Sequence, residues 1–140
     1  MKSKLLILLC FFTLSVFAQN VHIIPTPQQV KTAEGQFVWD ENIVLTYDAS
    51  DADISQIVSM WRSDLEQISP TKILFTRGLI KGKHFIELIK TDHLGVSENE
   101  DQAYRLIVNP NFIRIEATSN AGLFYATRSL KQLYRYSFLK

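Results

Sequence analysis

The most regular alternation of apolar and polar residues lies between Gln102 and Leu133. Tyr104, Leu106 and Val108 alternate with Arg105 and Ile107. Ile113, Ile115 and Ala117 alternate with Arg114 and Glu116. A period of two with one apolar set predicts two strands, each with one face buried. Asn109-Pro110-Asn111 between them supplies turn chemistry, because Pro presets φ and Asn tolerates left-handed geometry. The period then lengthens: Leu123, Thr127, Leu130 and Leu133/Tyr134 recur at helical spacing. Ser119 is placed to cap that helix by accepting a backbone N–H. Gly122, in its first turn, leaves room for other backbone to come close.

A second helical period runs from Ala49 to Ser69, where Ile54, Ile57, Val58, Trp61, Leu65 and Ile68 form one apolar stripe. Ser50 or Asp51 can cap it, Asp51 and Asp53 suit the positive end of its dipole, and Pro70 stops it. Trp61 is expected to anchor the core. Further strands are expected at Val21–Ile24, Gly35–Trp39, Ile43–Tyr47, Lys72–Thr76 and Lys83–Lys90. Between them lie a polar turn at Asp40-Glu41-Asn42, a turn region at Gly78–Gly82 and a polar loop at Thr91–Asp101. Strands joined by short turns, with two amphipathic helices to cover one face, give an α+β fold with a mostly antiparallel or mixed sheet.

The N-terminal stretch does not fit this pattern. Lys2 and Lys4 precede an unbroken apolar run from Leu5 to Val16, which is short for a membrane span. Val16-Phe17-Ala18 then offers small residues where a signal peptidase cuts. Residues 1–18 are expected to be a secretory signal peptide, cleaved after Ala18. A lipid anchor on Cys10 would follow the bulky Leu9, which argues against it. The mature chain, 19–140, would be one exported domain, periplasmic or secreted, with no membrane attachment.

Cleavage changes the charge and the thiol chemistry. The full chain carries 15 Lys and Arg against 14 Asp and Glu. Losing Lys2 and Lys4 turns a net charge of +1 into −1, so no basic field exists to attract nucleic acid. The single cysteine, Cys10, leaves with the signal, and the mature domain must be held together by packing rather than disulfides.

Candidate chemistry is sparse. Asp40-Glu41 is the only Asp-Glu pair, and it reads as a solvated turn between strands. Gly78-Leu79-Ile80-Lys81-Gly82-Lys83 is one residue short of a phosphate loop, and His84 stands where Ser or Thr is needed. Ser69-Pro70-Thr71-Lys72 matches Ser-x-x-Lys, but Pro70 opposes the helix that would bring Lys72 to Ser69. His22, His84 and His93 lack the i, i+4 spacing of a helical zinc motif. The Glu98-Asn99-Glu100-Asp101 cluster lacks the pattern of a calcium loop. Tyr125, Tyr134 and Tyr136 are candidates for a sugar platform, but helical spacing assigns most of these aromatics to packing. Tyr136 and Phe138 fall past the expected end of the second helix and suit a docking surface. No catalytic, cofactor-binding or metal-binding residue is assigned, and no cofactor is expected.

Two segments carry a family resemblance. Gln102-Ala103-Tyr104-Arg105-Leu106, Ser119-Asn120-Ala121-Gly122-Leu123-Phe124-Tyr125-Ala126 and Leu130-Lys131-Gln132-Leu133 form one. Ile24-Pro25-Thr26-Pro27-Gln28-Gln29-Val30 with Gly35-Gln36-Phe37 form the other. Together they resemble the N-terminal accessory domain of family 20 glycoside hydrolases, the β-N-acetylhexosaminidases. The resemblance covers the whole mature chain and does not extend to a catalytic barrel. It implies a sheet with helices on one side, no metal or organic cofactor, and a barrel domain as partner. The barrel's site has His-x-Gly-Gly-Asp-Glu, in which Glu is the general acid and Asp orients the substrate's own acetamido group. Trp39 precedes Asp40-Glu41 here and no His-x-Gly-Gly does, so neither role is carried over. The expected function is that of a non-catalytic fragment of such an enzyme. The alternatives are an accessory domain of another glycoside hydrolase family and a stand-alone secreted carbohydrate-binding or interaction module.

Overall fold

The computed structural model describes residues 23–39, 43–68, 73–77, 84–96 and 98–138. The elements are β1 (Ile43–Tyr47), α1 (Ala52–Ile68), β2 (Leu74–Arg77), β3 (His84–Lys90), β4 (Tyr104–Val108), β5 (Phe112–Ala117) and α2 (Asn120–Phe138). Among the described residues, five strands form one sheet in the order β2-β1-β3-β5-β4. The sheet is mixed: β1 pairs in parallel with β2 and β3, β3 pairs in parallel with β5, and only the β4–β5 hairpin is antiparallel. Parallel neighbours need a crossover, and α1 supplies one between β1 and β2.

Alternation decides which face is buried. Leu45, Ile86 and Ile113 stand in register across the three central strands, as do Tyr47, Leu88 and Ile115. These residues join Ile54, Ile57, Val58, Trp61 and Leu65 of α1, and Leu123, Ala126 and Leu130 of α2, in one apolar cluster. Both helices therefore lie on the same side of the sheet. Trp61 is 1% exposed, as its place on the α1 stripe predicts.

The opposite face carries cross-strand polar and aromatic pairs. Thr46, Glu87 and Arg114 form one cross-strand row. Arg114 donates to Glu87 at 2.8 Å, and Arg105 donates to Glu116 at 2.8 Å. Phe85 and Phe112 stack with centroids 5.4 Å apart.

Several expected boundaries move. Ile23 and Ile24 are not in a strand, and Val21 and His22 lie outside the described residues. Pro25 and Pro27 have no N–H to give a ladder, and the segment bends at Ile24, Pro25 and Gln28 without sheet pairing. Gly35–Trp39 is also irregular. Its aromatic residues are held by rings rather than by backbone pairing: Phe37 meets Trp39 at 5.5 Å, and Trp39 meets Tyr134 edge-on at 4.6 Å. α1 begins at Ala52 rather than Ala49, because the Asp48 carboxylate holds the preceding turn. It accepts from the Ser50 amide at 2.9 Å and from the Ser50 hydroxyl at 2.7 Å. α2 runs on to Phe138, so Tyr136 and Phe138 belong to the helix instead of following it. No Gly or Pro after Gly122 interrupts it.

Candidate functional site

The caps that fix the two helices are the ones their sequences offer. At α1, the Asp51 carboxylate accepts the amides of Asp53 at 3.0 Å and Ile54 at 3.1 Å. Lys90, at the end of β3, reaches the same carboxylate at 2.8 Å, tying the cap to the sheet. The Lys90 hydrogen bond and then the Ile54 amide hold the Asp51 carboxyl below its ordinary value. At α2, Ser119 Oγ accepts the Gly122 amide at 3.1 Å and donates to the Asp101 carbonyl. Thr118 donates to the Glu100 carbonyl at 2.6 Å. Gly122 is where backbone comes close: a Cβ there would lie 2.3 Å from the Ala103 carbonyl oxygen and 2.9 Å from Ala117 Cβ.

The helices are joined to each other by a shared carboxylate. Asp64 of α1 accepts from Lys131 of α2 at 2.8 Å and from Arg128. The Lys131 bond, with Arg128 adding to it, holds the Asp64 carboxyl below its ordinary value against the opposing effect of burial. Arg128 also lies over the Phe124 ring, 4.6 Å from its centroid.

Between the N-terminal halves of the two helices is an open cleft of about 330 Å³, lined by residues that include Asp53, Met60, Asn120, Phe124 and Tyr125. Met60 and Tyr125 are each 44% exposed. Asn120 Oδ1 is buried and has no donor among the described residues. Among the described residues, Asp53 is the only carboxylate lining the cleft. One carboxylate beside amides and apolar side chains can pack against a partner surface. It does not make the acid–base or acid–nucleophile pair of the usual glycosidase scheme.

The residues considered from sequence are dispersed. Asp40-Glu41, Gly78–Lys83, Ser69–Lys72 and His22 lie outside the described residues, as do residues 1–18, expected from sequence to be a signal peptide. His84 begins β3, with its ring 5.7 Å from Phe37, whereas His93 sits in the loop after β3 and pairs with Glu100 at 2.5 Å. Glu100 also accepts the Leu94 amide at 2.8 Å, so this part of the acidic cluster orders its own loop. Among the described residues no three His, Cys, Asp or Glu side chains gather as a metal site would require. Tyr134 is 3% exposed and Tyr125 44%, so these two do not share a platform. The cleft itself was not visible in the sequence. Met60 carries no motif, Asp53 and Ile57 read as helix-dipole and core residues, Asn120 and Phe124 belong to the family-like segment, and of the lining residues Tyr125 alone is a binding candidate by sequence.

Solved structures that share this fold include hexosaminidases. The N-acetyl-β-hexosaminidase of Streptomyces plicatus, in complex with Thio-NAglucal, superposes with a TM-score of 0.64 at 20% identity, covering 79% of this chain and 21% of that one. A GH20 exo-β-N-acetylglucosaminidase from Vibrio harveyi, an inactive mutant, gives 0.58 at 24% identity over 78% of this chain and 15% of that one. The chitobiase of Flavobacterium johnsoniae gives 0.54 at 28% identity over 79% and 18%. The chain thus spans between 15% and 21% of the length of these structures. No curated protein matches it significantly. The family model for glycosyl hydrolase family 20, domain 2, matches residues 20–137, and the chain belongs to that family.

Proposed function

We propose that residues 19–140 are the non-catalytic accessory domain of an exported β-N-acetylhexosaminidase. The parent enzyme would remove terminal N-acetylhexosamine residues from glycans. The domain's task is to pack against the catalytic barrel and stabilise it. The observation that carries this reading is the match of the family's second domain to residues 20–137, nearly the whole of the exported chain. The geometry agrees with it, because the described side chains build caps, ion pairs and packing contacts. Export rests on the signal features of residues 1–18, and the mature protein begins at Gln19 in this reading.

The reading is tested by translating the DNA that follows the Lys140 codon in all three frames. A barrel-coding stretch containing His-x-Gly-Gly-Asp-Glu is expected. Its absence would remove the parent enzyme and leave a stand-alone module. Purified as it stands, the chain is expected to release no chromophore from an N-acetylglucosaminide. Turnover that co-purifies with the chain through every step would refute its non-catalytic assignment.

A further inference from the structure

We draw no further inference here: the strongest candidate, the open cleft between the N-terminal halves of α1 and α2 lined by Met60, Asn120 and Tyr125, carries nothing because nothing in the structure shows what covers it.

Discussion

The N-terminal segment 23–39 and the unit formed by β4, β5 and α2 both carry family-like sequence, yet they are held by different physics. The unit from Tyr104 to Phe138 is built from local hydrogen bonds. Its hairpin pairs in register, Asn109 accepts the Asn111 and Phe112 amides at 2.9 Å, and Ser119 caps the helix that follows. The N-terminal segment has no ladder. Ile23 is buried, but Ile24 is 82% exposed, Val30 51% and Val38 59%. The segment is tied to the rest of the fold by the Phe37–His84 and Trp39–Tyr134 ring contacts and by a clasp in which Gln132 accepts the Ile24 amide and donates to the Ile24 carbonyl, each at 2.9 Å. Apolar residues flanking prolines are thus not enough to make a strand. A strand also needs amides to donate and an edge to join.

The two tryptophans give the strongest test of this contrast, since Trp61 lies in the core and Trp39 in the N-terminal segment, half-buried. Trp61→Ala should cost about 3–5 kcal/mol, the range for emptying a large aromatic site. Trp39→Ala should cost clearly less. Equal shifts in urea midpoint would make the N-terminal segment part of the core and break the distinction.

Gly122→Ala comes next. Alanine is the better helix former by about 0.8–1 kcal/mol, so propensity alone predicts a gain. The close Ala103 carbonyl predicts the opposite, a loss of about 1–3 kcal/mol from overpacking. A raised midpoint would show that the backbone contact yields easily.

Gln132→Ala removes both clasp bonds, worth at most about 0.5–1.5 kcal/mol each and less where water replaces them. The global midpoint should move little, while amide exchange at Ile24 should speed up. Unchanged exchange at Ile24 would mean that the clasp does not hold the segment.

The smallest effect is electrostatic and lies between the helices. The folded-state carboxyl of Asp64 is held below its ordinary value of 3.8, so its contribution is complete above that pH and fades as pH falls through the folded value. Wild type should therefore lose melting temperature on acidification below about pH 4, more steeply than Asp64→Asn. Parallel pH profiles for the two proteins would leave the Lys131 and Arg128 contacts without a stabilising role.

Legibility followed the same division. The hairpin, its turn, the Ser119 cap and the Gly122 approach could be read from local sequence because each is a contact between near neighbours or a steric need of one residue. Trp61 followed from a stripe at helical period. The parallel pairing of β1, β3 and β5 was harder, because register between strands separated by loops is fixed by the shared core and by no local signal. The exact start of α1 depended on Asp48 capturing Ser50, which competes with the helix for the same backbone. The cleft depends on how two helices cross, and single-helix periodicity does not contain that.

The sheet order has a consequence for self-association. β2 and β4 are the outer strands, and outer strands offer free backbone groups to any passing chain. β2 is only 4 residues long, which limits the rungs a second molecule could add. β4 carries the charged Arg105, engaged with Glu116 and with the Leu94 carbonyl. A short edge and a charged edge both resist the addition of further strands and growth into fibres.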